Sequence, residues 1–233
     1  MASKPRERAL KQAQSAQSPM NWRPRTAENL IGQAKRVALA QTSKAKRLAS
    51  DPSATMKLLL YGPPGVGKTS VVELVALQLA GTPLAIEDYN GREVTVDLVR
   101  DWMRQLAYGS LFSSWSVKIV NELDRCSREA QDLLLTYLDR LPPGRAFLGT
   151  SNLQLDLLTE RFQTRFQAIK LLPPTTEELA AFLSAHWAVP SITATQIAVG
   201  SGGCVRAALA DLESYLDHTL NPTHEHATHP TND

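Results

Sequence analysis

Cysteine is almost missing from this 233-residue chain. Only Cys126 and Cys204 occur, far apart and without metal-ligand spacing. That excludes a disulfide framework and a cysteine-based zinc motif, and a reducing, cytoplasmic setting is the expectation. Long apolar runs are missing too. No stretch approaches the roughly 18 residues of a membrane-spanning helix, so no membrane role is expected. The N-terminus carries basic residues with no apolar core behind them, so no secretory signal is visible. Negative charge is scarce before residue 50. Glu7 and Glu28 stand there against Lys4, Arg6, Arg8, Lys11, Arg23, Arg25, Lys35, Arg36, Lys44, Lys46 and Arg47. Such an excess suits nucleic-acid phosphates, and equally suits a solvated arm and helix face. The rest of the composition, 43% hydrophobic and 21% charged with a net charge of +2, is that of an ordinary soluble protein. The length allows one α/β domain with a small appendage.

The most informative stretch runs from Lys57 to Thr69. Leu58, Leu59 and Leu60 form a short apolar run of the kind buried in a parallel sheet. Gly62, Pro63, Pro64, Gly65, Val66, Gly67, Lys68 and Thr69 then read G-x-x-x-x-G-K-T, with Ser70 next. Glycines there let the backbone turn tightly and aim its N–H groups at a phosphate chain. Lys68 can reach the β- and γ-phosphates, and the Thr69 hydroxyl can take Mg²⁺. Val71, Val72, Leu74, Val75, Leu77 and Leu79 suit a largely buried helix whose positive end faces the anion.

Taken in order, residues 1–20 have little to bury and read as a mobile arm. Residues 33–49 suit a helix that ends at Asp51-Pro52-Ser53. After Gly81-Thr82-Pro83, Leu84 to Glu87 is a candidate second strand and Asn90-Gly91 a turn. A helix from Thr95 carries Val96, Val99, Trp102, Met103 and Leu106 at helical spacing. Val117 to Val120 is a third strand, residues 128–140 a helix, Ala146 to Leu148 a fourth strand and Ala168 to Leu171 a fifth. This alternation implies an α/β fold with a parallel sheet. Beyond Pro173-Pro174, helices over 175–188 and 204–217, separated by a break at Gly200 to Gly203, make a small helical lid. The expected division is an arm over 1–20, a P-loop domain over 21–172, a lid over 173–220 and a tail over 221–233. His224, His226 and His229 in the tail could hold a metal, but a polar tail gives them little preorganisation.

Triphosphate hydrolysis needs a carboxylate at Mg²⁺, a base for water and cations at the γ-phosphate. The third strand closes in Asn121-Glu122. In most P-loop ATPases an aspartate stands where Asn121 stands. Asn121 can still offer its carbonyl on the metal side, with one negative charge fewer, so Mg²⁺ affinity and rate should both fall. Glu122 suits the role of orienting or deprotonating water, and Asp124, two residues on, is expected to point elsewhere. Asn152 closes the fourth strand and is the candidate for holding that water. Arg161 and Arg165 precede the fifth strand, where an arginine can project into a neighbouring subunit's ATP site. Arg206 opens the last helix and can reach a γ-phosphate from the lid.

Together these residues resemble the AAA+ ATPases, and within them the clamp-loader group, from about Trp22 to Leu216. Trp22-Arg-Pro-Arg-Thr and Leu30-Ile31-Gly-Gln33 are similar to that group's opening signature, whose backbone borders the adenine; Ile31 is the candidate contact. Gly62–Thr69 is similar to its Walker A. Asn121-Glu122-Leu-Asp-Arg is similar to its Walker B, with the asparagine as a departure. By the same resemblance Asn152 is sensor 1, Arg165 is the finger acting in trans and Arg206 is sensor 2. The segment from Asn90-Gly91-Arg92 resembles the part that tracks duplex backbone, which makes Arg92, Arg100 and Arg104 DNA-contact candidates.

The resemblance implies ATP and Mg²⁺ as cofactors, a homo- or hetero-oligomer of AAA+ subunits, DNA as a partner and a sliding clamp as a further one. Clamp-loader subunits usually carry a helical collar after the lid. None follows here, so oligomer contacts are expected on the ATPase and lid surfaces or on another protein. The leading expectation is an ATPase acting in DNA replication or repair. Two alternatives stay open: a nucleotide-dependent interaction module with weak catalysis, and a protein-remodelling ATPase without DNA contact.

Overall fold

Three consecutive leucines set the centre of the sheet. In the computed structural model of the chain, Leu58, Leu59 and Leu60 lie in β1 (Thr55–Tyr61) and are fully buried. Pleating sends Leu58 and Leu60 to one face and Leu59 to the other, so they join different apolar clusters. The structure describes residues 18–51, 53–108, 112–152 and 160–220. The arm residues Lys4, Arg6, Arg8 and Lys11, Pro52, and the tail histidines His224, His226 and His229 lie outside them.

β1 pairs in parallel with β4 (Arg145–Ser151) on one side and β5 (Gln167–Lys170) on the other. β3 (Ser116–Asn121) lies beside β4, and β2 (Ile86–Asn90) forms the far edge. The order β2-β3-β4-β1-β5 is parallel throughout. Parallel neighbours need crossovers, and helices supply them over both faces. On one face α1 (Gly32–Leu48) and α2 (Lys68–Ala80) bring Ala34, Ala38, Val71, Val72, Val75 and Leu79 against Leu58, Leu60, Ile119 and Leu148. On the other, α3 (Val96–Gln105) and α4 (Arg128–Asp139) bring Val99, Trp102, Leu134 and Leu138 against Leu59, Val120 and Phe147. Thr95 and Ser127 cap these two helices, their hydroxyls accepting the N–H groups of Leu98 and Ala130. A single turn, α5 (Glu160–Gln163), precedes β5. The expected α/β architecture is the observed one.

Two elements differ from expectation. The strand expected over Leu84–Glu87 starts only at Ile86. Pro83–Ala85 is instead a turn capped by Thr82, and Leu84 is 69% exposed. β2 is an edge strand rich in polar residues, so it carries no apolar run to mark it. The second difference is a helix, α7 (Ser191–Gly200), where the sequence suggested none. Its Ile192, Thr193, Thr195, Ile197 and Val199 are β-branched and weak helix formers. Burial of Ala194 and Ala198 outweighs that weak propensity.

The chain divides into two units, one of Arg23–Thr175 and one uniting the described residues 18–22 with 176–220. The second contains α6 (Thr176–Trp187), α7 and α8 (Val205–Leu220). Trp22 belongs to it, its ring edge-on to Phe182 at 5.1 Å and to Trp187 at 6.3 Å. Ser18 Oγ donates to the Glu213 carboxylate at 2.9 Å. Among the described residues no helix is long and apolar enough to cross a membrane.

Phe147 is fully buried, with the rings of Trp102, Tyr137 and Phe166 centred 6.4, 6.0 and 5.9 Å away. Phe147→Ala is expected to lower stability by about 3–5 kcal/mol. Leu172→Ala, at a half-exposed position, should stay within about 0.5 kcal/mol. Urea unfolding midpoints of the two variants check this.

Candidate functional site

In an open parallel sheet the carboxyl ends of the strands gather the groups that meet a ligand. Here Tyr61 of β1, Asn121 of β3 and Ser151 of β4 end side by side, and the loop from Gly62 to Gly67 leaves from among them. Gly62, Gly65 and Gly67 have φ of 139°, 75° and 96°, which side chains resist. A Cβ on Gly62 would stand 2.2 Å from the Leu171 carbonyl oxygen. The loop is held by Gly62 N–H to Ser151 O at 3.2 Å. Lys68 is 6% exposed, and its Nζ donates to the carbonyls of Gly62 (2.9 Å) and Pro63 (2.6 Å).

Val71 N–H to Gly67 O, at 3.0 Å, is the first bond of α2. The amides of Thr69 and Ser70 precede it and meet no carbonyl within the helix. No acidic residue lies in that first turn. Backbone donors, a buried ammonium and a helix N-terminus free of carboxylates form a donor set that fits a polyphosphate.

Beside the loop, Asn121 joins three elements. Its Oδ1 accepts from Thr69 Oγ1 on α2 and from Thr150 Oγ1 on β4, both at 3.1 Å. Its Nδ2 donates to Asp88 Oδ1 on β2 at 2.9 Å. Thr150, 2% exposed, also accepts the Glu122 N–H at 3.1 Å. Glu122 adopts the left-handed conformation at φ 55°, uncommon for a residue with a Cβ. A Cβ on Gly91 would stand 2.1 Å from the Glu122 carbonyl oxygen, so the start of the turn after β2 must be glycine.

The Glu122 carboxylate pairs with Arg125 Nε at 2.9 Å and lies 3.4 Å from Asn152 Nδ2. Asn152 is fixed by its backbone N–H, which donates to Asp124 Oδ1 at 3.0 Å. Asp124 therefore points toward the end of β4. Partial burial raises the Asp88 carboxyl above the ordinary range, with the hydrogen bond from Asn121 opposing it. Glu73 on α2 is raised by burial and by the charge on Asp88, with Arg23 opposing. Burial and the charge of Asp124 push the Cys126 thiol up to about 12, which makes it an inert thiol.

Ile31 is the N-cap residue of α1, half-buried, and its neighbours Leu30 and Ala34 lie 3.6 and 3.4 Å from a Cβ position on Gly67. That segment is tied down by Gln33, which donates to Lys170 O at 2.9 Å and accepts the Leu172 N–H at 2.7 Å. Arg165 makes a two-oxygen contact with Asp139, Nη2–Oδ2 being 2.9 Å, and also donates to Arg161 O at 3.1 Å. Arg161 is exposed in α5 and Arg206 exposed in the first turn of α8. Arg92 is exposed after β2, whereas Arg100 pairs with Asp97 at 2.9 Å and Arg104 pairs with Asp101.

Sequence reasoning gave Gln33 only as part of the opening signature and passed over Thr150, Asp88, Arg125 and Asp139. Thr150 had a readable signal, a hydroxyl just after the apolar run Ala146-Phe147-Leu148 of the fourth strand. The others act through partners remote in sequence or through a helical turn that no motif marks. A separate cavity of about 560 Å³ opens at the amino ends of β2, β3 and β4. Its buried Lys118 is satisfied by Glu87 at 2.7 Å and by the Trp102 ring at 5.1 Å.

Comparison with known proteins agrees with this geometry. The sequence model of the ATPase family associated with various cellular activities (AAA) matches residues 58–174, half of the chain. Replication-associated recombination protein A of Bacillus subtilis is 29% identical over 209 residues, covering 82% of this chain and 46% of that protein. Replication factor C subunit 3 of Oryza sativa is 35% identical over 127 residues, covering 50% and 34%. The chain thus spans less than half the length of these curated relatives. Among solved structures, the Thermotoga maritima RuvB Holliday junction branch migration motor superposes with a TM-score of 0.64 over 85% of this chain and 73% of that one. At 20% identity that likeness is one of fold.

Thr150→Val removes both the acceptor of the Glu122 N–H and a donor to Asn121. It is expected to cost about 1–3 kcal/mol in urea unfolding, as a buried polar group loses its partner. Thr150→Ser, which keeps the hydroxyl, should recover most of that loss.

Proposed function

The chain belongs to the family of ATPases associated with various cellular activities, and from that premise we propose that it binds and hydrolyses ATP as one subunit of an oligomer in DNA replication or repair. The observation that carries the reading is the contact of Thr69 with Asn121, which joins the glycine loop to the end of β3. ATP would be held by Gly62, Pro63, Pro64, Gly65, Val66, Gly67, Lys68, Thr69 and Ser70, with Ile31 toward the base. Mg²⁺, which neutralises charge building on the phosphates, would be held by Thr69 with Asn121 behind it. Glu122 orients the attacking water and accepts its proton, and Asn152, whose Nδ2 lies 3.4 Å from that carboxylate, is proposed to hold the same water. Because Glu122 is paired with Arg125, that pair must loosen before the carboxylate reaches a water.

Arg165 is proposed to act on a neighbouring subunit's nucleotide. Its pairing with Asp139 makes that role an exchange of partners, from an internal carboxylate to a phosphate. Arg206 is proposed as the cation from the helical unit. Relatives named as replication factor C subunits and as a replication-associated recombination protein support DNA as the setting. Arg100 and Arg104 are each matched by an aspartate on their own helix, so Arg92 is the strongest of the three DNA candidates. A sliding clamp is a further proposed partner.

A second reading is favoured by the neutral Asn121 and the paired Glu122: a nucleotide-dependent interaction module with slow turnover. Steady-state ATPase rates across protein concentration, with and without duplex DNA, separate the two.

Lys68→Ala is expected to abolish ATP binding and turnover in an equilibrium titration and a phosphate-release assay. Unchanged values would reject the loop assignment. Arg165→Ala should bind ATP normally yet lose assembly-dependent hydrolysis by about 10³-fold, the scale of an arginine finger. Full turnover by the variant would remove the finger role.

A further inference from the structure

Asn121 stands where a carboxylate is wanted, and its surroundings show where the missing charge has gone. The amide has one permissible orientation. Its Nδ2 faces Asp88 Oδ1 at 2.9 Å, and its Oδ1 faces the hydroxyls of Thr69 and Thr150 at 3.1 Å each. Turning the amide over would set its carbonyl oxygen against the Asp88 carboxylate, two acceptors with no proton between them. Asp88 therefore decides that Asn121 presents its oxygen, and not its NH₂ group, to Thr69. The same geometry disfavours the residue usual in other P-loop ATPases. An aspartate at 121 would bring two carboxylates within about 3 Å, where both cannot stay ionised at little cost.

We infer that Asp88 and Asn121 together do the work of one metal-side carboxylate, Asp88 carrying the charge and Asn121 relaying it to Thr69. The inference rests on the proposed binding of Mg²⁺ and ATP in the Gly62–Thr69 loop. A carboxylate that accepts from an amide polarises it, which makes the amide oxygen a better acceptor for the Thr69 hydroxyl and for whatever that hydroxyl holds. Groups that hold a metal's own ligands in this way typically change metal affinity by about 10–100-fold when removed. Asp88 is thus a positioning residue. It comes from β2, the edge strand, and reaches the site because β2 pairs in parallel with β3, Asn90 opposite Asn121. The third strand alone leaves the site short of one charge. Across the two strands, the count is complete.

Moving the charge tests this. The variants are Asp88→Asn, which keeps an acceptor for the Asn121 amide but removes the charge, and the exchange Asp88→Asn with Asn121→Asp, which puts the charge back at the third strand. The readout is binding of a fluorescent, non-hydrolysable ATP analogue to the full chain, titrated with Mg²⁺ and repeated in EDTA. Asp88→Asn should raise the half-saturating Mg²⁺ concentration about tenfold or more while leaving binding in EDTA unchanged. The exchange variant should return it to within about threefold of wild type. If Asp88→Asn needs no more Mg²⁺ than wild type, or the exchange does no better than Asp88→Asn, the inference is wrong. Should Asp88→Asn fail to fold, the exchange variant still decides, since wild-type Mg²⁺ dependence supports the shared role and a tenfold loss overturns it. A wild-type chain that binds no analogue under either condition would overturn the loop assignment too, which is a separate failure.

Discussion

One asparagine side chain ties the structure to its proposed chemistry. Asn121 bonds to α2 through Thr69, to β4 through Thr150 and to β2 through Asp88. Those elements come from positions far apart in sequence, and their shared point of contact is the end of the sheet. Each bond is worth about 1 kcal/mol net, but a partner left unpaired and partly buried costs about 1–3 kcal/mol. The network is therefore more restrictive than it is stabilising. It fixes where the glycine loop starts relative to β3, and so where a phosphate would sit relative to Glu122.

Two of the charged groups proposed to act on a nucleotide, Glu122 and Arg165, are engaged inside the chain. Glu122 pairs with Arg125, and Arg165 pairs with Asp139. The hydrogen bond from Arg165 holds the Asp139 carboxyl below the usual range. Both pairs are partly exposed, where such contacts are weak and exchange readily. A phosphate, carrying more charge than a carboxylate, competes well for an arginine. The resting arrangement suits a switch in which ligand and neighbour draw these side chains away from their internal partners.

Much of this was legible in order along the chain. The leucine run, the glycine-rich loop and the valine-rich helix after it carry their own periods, and each forms where the pattern places it. Thr95 and Ser127 cap the helices that follow them. β2 and α7 were not legible in the same way. β2 is an edge strand with polar residues along it, and α7 is built from residues that prefer strands. In both, neighbours supply the stabilisation that local sequence does not. Of the site, Lys68, Thr69, Asn121, Glu122 and Asn152 could be named from motif and spacing, and the structure brings them to one end of one sheet. Arg125, Asp139 and Asp88 could not, because each matters through a partner.

By itself the sequence determined the element types at the centre of the sheet and the loop that suits a phosphate. Those depend on local backbone freedom and on side-chain period, which a linear pattern records. Tertiary structure alone decided that Asp88 faces Asn121, that Thr150 joins Thr69 on one oxygen, and that Trp22 packs with the helical unit. The contacts of Asp88, Asn121 and Thr150 are set by strand order and register, and a shift of one residue in any of their strands would turn that side chain to the opposite face, whereas Trp22 is placed by ring packing among helices.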